Sequence, residues 1–149
     1  MLLWRISNYA TLAGRGGISA SARWHTAGRP IVYLAETPAG ALTEILVQLE
    51  LAPEELPRSY QLLKISAADD VAVKTVAPGK LRKGWRNDAV MTRTIGDQWL
   101  ASRETALLRV PSAIVPETWN VLLNPAHTDA PRVRIISHHR YPWDQRLLI

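Results

Sequence analysis

A carboxylate and two guanidinium groups stand out because their neighbours are wrong for a plain protein surface. Glu44 lies in a stretch with helical character, opened by Thr37 as an N-cap and Pro38 in the first turn, and running to about Leu51. At about 100° per residue, Leu42, Ile45, Leu46 and Leu49 make the main apolar stripe. The opposite side, where polar residues are expected, carries Gly40, Val47 and Leu51 around Glu44. A helix that is apolar on two sides is covered on both, so the pattern predicts Glu44 to be at least partly buried. A buried carboxylate needs charged or hydrogen-bonding partners and is a candidate for chemistry. The plainer alternative is an exposed glutamate on a surface helix.

Arg5 shares a strand face with Leu3 and Ser7, and there a structural ion pair is the simpler reading. Arg23 differs, because Arg23-Trp24-His25 ends a glycine-containing loop just before the strand that bears Tyr33. An arginine fork beside loop N–H groups suits a pyrophosphate, since it binds two oxygens at once. Gly14-Arg15-Gly16-Gly17, however, matches neither phosphate-loop nor dinucleotide-binding fingerprints. His25, His127, His138 and His139 show no metal-ligand spacing supported by carboxylates, so no metal is expected. Ser112 follows Pro111 outside any nucleophile elbow, and Asn124-Pro125-Ala126-His127 reads first as a turn.

The elements that must position these groups are short. Leu2 to Ser7 alternates as a strand, and residues 13 to 30 form a long irregular stretch of the kind that often carries function. Strands are predicted at 31–35, 60–65, 106–110 and 132–137, with a second helix at 95–103. A broken basic region precedes that helix, and a Pro-rich irregular region separates the last two strands. Several strands with only two clear helices predict a mixed α/β or α+β fold, in one domain over residues 1–149.

Composition narrows the setting. The 149 residues contain no cysteine, which excludes disulfides and thiolate metal sites and suits a reducing, cytoplasmic compartment. No apolar run approaches the roughly 20 residues of a membrane span, and Arg5 comes too early for a signal peptide. Net charge is +5, from 18 Lys and Arg against 13 Asp and Glu, which favours an anionic partner. The excess is dispersed; its densest run, Lys80 to Arg86, reads as a solvated basic loop rather than a nucleic-acid stripe.

Together these segments resemble the RES-domain family, named for an arginine, a glutamate and a serine. The matching stretches are Trp4-Arg5-Ile6, Ala22-Arg23-Trp24-His25, Val32-Tyr33-Leu34-Ala35, Leu42-Thr43-Glu44, Gly96-Asp97-Gln98-Trp99-Leu100, Val110-Pro111-Ser112-Ala113-Ile114 and Asn124-Pro125-Ala126-His127. They occur in the family's order and span nearly the whole chain. One departure is Ala22, where many relatives have glycine.

The resemblance implies an ADP-ribosyltransferase-like fold, a split mixed sheet with helices around an NAD-binding cleft. It implies a toxin of a toxin–antitoxin pair, of RES–Xre type, that consumes NAD⁺ as substrate by degradation or ADP-ribosyl transfer, with no separate cofactor. It also implies a helix-turn-helix (Xre-like) antitoxin covering the cleft, a homodimer, and no direct nucleic-acid binding by this chain.

Nicotinamide is already a cationic leaving group in NAD⁺, so its departure needs no strong general acid. The transition state resembles an oxocarbenium ion and asks for negative charge near the ribose. Carried over from the family, Arg5 and Arg23 hold phosphates or ribose, and Tyr33 stacks against nicotinamide or closes the pocket. Glu44 binds ribose hydroxyls and stabilises the cation. Ser112 supports the site through hydrogen bonds, and His25 is a wall residue. Two other readings stand beside this one: an RNA-targeting toxin, for which positive charge and six tryptophans would supply affinity, and a non-enzymatic protein-binding module in which Glu44 and the arginines form structural ion pairs.

Overall fold

A computed structural model describes residues 1–49 and 53–148. The fold is α+β. Its strands are β1 (Leu2–Ile6), β2 (Val32–Ala35), β3 (Ser59–Ala67), β4 (Val73–Thr75), β5 (Leu107–Pro111), β6 (Trp119–Leu123) and β7 (Val133–Pro142). They form a single mixed sheet in the order β4-β5-β6-β2-β1-β3-β7, in which only β4 and β5 run parallel. The helices are α1 (Gly16–Ser19), α2 (Pro38–Gln48) and α3 (Ala89–Ser102).

Strand alternation sends apolar side chains to both faces, because each face has its own cover. Leu3, Val32, Leu34, Leu63, Ile65, Val121 and Leu123 build one core. Tyr33, Leu108, Val110 and Leu122 turn the other way and pack with Trp24, Trp85, Trp99 and Leu100, the last two from α3. Helix α3 lies so close to the 22–25 loop that a Cβ at Gly96 would fall 1.6 Å from the Trp24 carbonyl oxygen. Asp97 secures the same contact, accepting from Thr26 N at 2.8 Å and Thr26 Oγ1 at 2.7 Å.

One junction in the sheet is thin. Strand β1 pairs with β3 over five residues and β2 pairs with β6 over four, but β1 and β2 share the single pair Trp4–Ala35. Beyond that rung the two halves of the sheet part. Helix α2 lies across the parting strands, its start fixed by Thr37 Oγ1 accepting from Gly40 N at 2.9 Å.

The structure corrects several element boundaries. Helix α3 begins at Ala89 rather than Ile95, because Asp88 caps it through Met91 N at 3.1 Å. The Pro-rich region between the last two predicted strands holds β6, a central strand fitted between Pro116 and Pro125. Strand β4 was missed inside the basic region, and the 13–30 stretch contains the one-turn α1. Strand β7 runs on to Pro142, following the full length of β3 with a bulge opposite Lys64 and Ile65.

Helix α2 ends at Gln48, earlier than predicted; Leu51, at the predicted end, lies outside the described residues. Nor is this helix covered on both sides: Val47 is 59% exposed, and Leu42, Ile45, Leu46 and Leu49 are only half-buried. The sheet covers α2 along one side alone, and Ala41 is its one fully buried residue.

Candidate active site

The parting of β1 and β2 opens a cleft of about 430 Å³, counting its open mouth. Residues 4–6 of β1 and 33–35 of β2 form two walls, and Ala41, Glu44, Ile45 and Gln48 of α2 form the third. Asn120 of β6 completes the lining.

Arg5 makes its position from the parting itself. Continuing the Trp4–Ala35 register would set Ile6 against Tyr33, but the ladder stops and Arg5 Nη1 donates to the Tyr33 carbonyl oxygen at 2.9 Å. The guanidinium thus supplies a bond that a longer ladder would have given to backbone. No carboxylate among the described residues pairs with it, so the ion pair that pattern alone suggested is absent. Burial lowers its affinity for its proton from the ordinary value, yet an arginine remains charged.

Glu44 sits half-buried with one oxygen anchored. Its Oε1 accepts from Ser112 Oγ at 3.0 Å and from Asn120 Nδ2 at 2.8 Å. Among the described residues no donor reaches Oε2. The direction of the serine hydrogen is forced. Ser112 is 2% exposed, and its Oγ already accepts from Ile114 N at 3.1 Å and Val115 N at 3.2 Å. With both acceptor positions used, the hydroxyl proton has only Glu44 to go to.

Tyr33 is held from behind. Its side chain turns into the α3 core, where His25 Nδ1 stands 2.8 Å from the phenol oxygen and Trp24 N donates to that oxygen at 3.1 Å. His25 is 1% exposed, and its Nε2 is 3.0 Å from the Gly17 carbonyl oxygen. A carbonyl can only accept, so Nε2 carries the hydrogen, Nδ1 accepts, and the phenol donates to it. Burial pushes the Tyr33 phenol well above its ordinary pKa. The Trp24 N–H and the Arg93 charge oppose that shift, Asp97 adds to it, and Arg23 weakly opposes it.

Of the residues singled out from sequence, then, Arg5, Tyr33 and Glu44 line one cleft. Ser112 stands one contact behind Glu44 and His25 one contact behind Tyr33. Arg23 does not line the cleft; its Nη1 donates to the Arg86 carbonyl oxygen at 2.8 Å. Asn120, Trp4 and Gln48 line it without having been singled out. Asn120 was hidden because its segment read as irregular, although Trp119-Asn120-Val121-Leu122-Leu123 carries the strand's apolar run.

Residues 2–144 match the family model described as the RES domain. The chain belongs to the RES family. Among RES proteins, one named Toxin Res from Pseudomonas putida is 47% identical over 135 residues, covering 91% of this chain and 92% of that protein. The Prs ADP-ribosylating toxin of a Sphingobium species is 36% identical over 155 residues, 97% of this chain and 95% of that one. A solved structure, the M. tuberculosis MbcT–MbcA toxin–antitoxin complex, superposes with a TM-score of 0.77 over 95% of this chain and 84% of that one. At 17% identity this likeness speaks to the fold of the RES chain.

Proposed function

We propose that this RES protein is the toxin of a toxin–antitoxin pair and that it consumes NAD⁺ at the β1–β2 cleft by breaking the bond between nicotinamide and ribose. The observation that carries the reading is the Glu44 carboxylate, lining the same cleft as Arg5, with one oxygen fixed by Ser112 and Asn120 and the other open to a ligand. The names of the relatives support it from outside: two are called toxins, one of them ADP-ribosylating.

The chemistry follows from charge. The carbon–nitrogen bond breaks with its electron pair leaving on nicotinamide, which departs neutral, and the ribose becomes an oxocarbenium-like cation. The Glu44 carboxylate faces that developing charge and takes hydrogen bonds from ribose hydroxyls. Its two fixed donors remove the need to reorient during the reaction, which is the economy of a preorganised site. Water then adds its oxygen to the cation and gives up a proton, or another nucleophile takes the ADP-ribosyl group. Ser112 is a support and not the nucleophile, since its proton is already committed to Glu44. Arg5 binds the ribose or phosphates of NAD⁺, and His25 backs the tyrosine that closes the nicotinamide side; Arg23, bonded to the Arg86 carbonyl oxygen outside the cleft lining, has no direct part in this reading. NAD⁺ is substrate here, and no further cofactor enters. The protein acts in the cytoplasm, as a homodimer, with a helix-turn-helix antitoxin closing the cleft; the MbcT–MbcA complex supports a partner of the antitoxin kind.

The test is Glu44→Gln. A glutamine Oε1 still accepts from Ser112 and Asn120, so the fold should stand while the charge is gone. Losing one such electrostatic contact typically costs on the order of 3 kcal/mol of barrier, so NAD⁺ loss and nicotinamide release should fall at least a hundredfold with an unchanged melting temperature. Retained turnover in that variant would remove Glu44 from the mechanism. Wild-type protein that spares NAD⁺ but degrades total RNA would replace the reading altogether.

A further inference from the structure

We propose that the indole of Trp4 is the face on which the nicotinamide ring of NAD⁺ stacks. The inference rests on the NAD⁺ reading above and adds to it a residue outside the arginine, glutamate and serine that name the family.

The sheet turns this side chain towards the cleft. Leu3, its neighbour on β1, is fully buried in the core on the far face, so alternation sends Trp4 to the opposite face. Trp4 pairs with Ala35, and directly opposed residues of an antiparallel pair project to the same side. That side belongs to α2, where a Cβ at Gly40 would lie 3.4 Å from the Ala35 Cβ. The indole therefore stands beside the helix that carries Glu44, and both residues line the cleft. Across the rung, Ala35 presents only a methyl group and does little to cover the ring.

The ring is also unoccupied. Of the six tryptophans, Trp24, Trp85 and Trp99 are buried in the α3 core. Trp119 carries the Arg109 guanidinium 3.9 Å from its ring centre, and Trp143 lies 4.7 Å from the Tyr60 ring. Trp4 is half-buried and belongs to neither core, and among the described residues no ring or cation stacks on it. A large aromatic surface left half-open in a cleft suits a flat ligand. Tyr33 does not compete for this role, since His25 and Trp24 N hold its phenol on the α3 side.

Charge selects which ring is held. NAD⁺ carries a neutral adenine and a positively charged nicotinamide. The face of an indole is negative and holds a cation more strongly than other aromatic side chains do. Glu44 must stand at the nicotinamide ribose, so the ring beside it in the same cleft is nicotinamide. The attraction is greatest before the bond breaks and fades as nicotinamide leaves neutral. It therefore serves capture of NAD⁺ and release of nicotinamide, and does not lower the barrier.

The experiment compares wild type, Trp4→Leu and Trp4→Phe in NAD⁺ turnover and in binding of ADP-ribose, which keeps adenine but lacks nicotinamide. Stacking of a base on an aromatic side chain is typically worth roughly five- to a hundredfold in affinity. In Trp4→Leu, KM for NAD⁺ should rise by about that factor with kcat little changed, and Trp4→Phe should recover much of the loss. ADP-ribose should bind all three proteins equally. An unchanged KM, a loss confined to kcat, or an ADP-ribose affinity that falls by the same factor overturns the inference, while the wild-type activity leaves the NAD⁺ reading standing. A wild-type protein inert towards NAD⁺ overturns that reading and this inference with it.

Tryptophan fluorescence gives a readout that does not depend on Trp4→Leu folding. In Glu44→Gln, NAD⁺ should quench the emission more than ADP-ribose does, because a cationic pyridinium in contact with an excited indole quenches it. In Glu44→Gln combined with Trp4→Phe that difference should vanish. No difference in the first protein, or one that persists in the second, overturns the inference.

Discussion

At the scale of single residues, the cleft is built from groups that each have one end committed to the protein. Ser112 is the clearest case. Replacing it by alanine removes the buried hydroxyl that accepts from the Ile114 and Val115 N–H groups and takes one of two donors from Glu44. Ser112→Ala should therefore lose about 1–3 kcal/mol of stability in denaturant unfolding, and its NAD⁺ turnover should fall about tenfold, since a charge-assisted bond of roughly that strength is gone. Tyr33 gives a pH signature. Its folded pKa lies above the unfolded value of about 10. Below that value both states keep the proton and the bonded phenol contributes its full share of stability. As pH rises above about 10 the unfolded chain sheds the proton first, so stability falls until the folded phenol also ionises. Wild type should thus lose more stability between pH 9 and 11 than Tyr33→Phe does, a difference readable from denaturant midpoints at fixed temperature.

At the scale of elements, the contact between α3 and the 22–25 loop has no slack. Gly96→Ala would drive a methyl group into the Trp24 carbonyl, and backbone cannot rotate away as a side chain can. It should cost at least about 3 kcal/mol and displace the segment that carries Arg23 and His25, lowering both the melting temperature and the rate of NAD⁺ loss. The elements also show what was readable beforehand. Helix α2 was legible from its Thr-Pro start and its apolar stripe, and β1 from its alternation, so Arg5 and Glu44 were placed on the right kinds of element. The partial burial of Glu44 was reached for the wrong reason: α2 is open on one side, and the carboxylate is half-buried because β6 and Ser112 meet it. That meeting joins residues 68 and 76 positions apart, and no local pattern records it. Strand β6 was lost because flanking prolines imitate a loop, and Asn120 was lost with it. In sequence Arg23 looked the better phosphate clamp and Arg5 an ion-pair partner; only folding shows Arg5 in the cleft and the Arg23 guanidinium bonded to a carbonyl far along the chain, outside the cleft lining.

At the scale of the whole molecule, two halves of a sheet meet at the Trp4–Ala35 rung, with the Arg5–Tyr33 bond beside it and α2 laid across both strands. A ligand in the cleft touches both halves at once and binds only the folded chain. Glu44→Gln is the form in which to measure this, because it should hold NAD⁺ without destroying it. At a hundredfold excess over its dissociation constant, NAD⁺ should add about 2.7 kcal/mol to the unfolding free energy, seen as a rise in melting temperature that ADP-ribose reproduces. No rise with either ligand would mean that neither enters the cleft. The lone rung has another consequence. It works as the pin of a pair of pliers: Trp4 and Ala35 hold no reacting atom, yet the spacing of the jaws is theirs to set. Substitutions around that pin can change the width of the cleft while leaving every chemical group untouched.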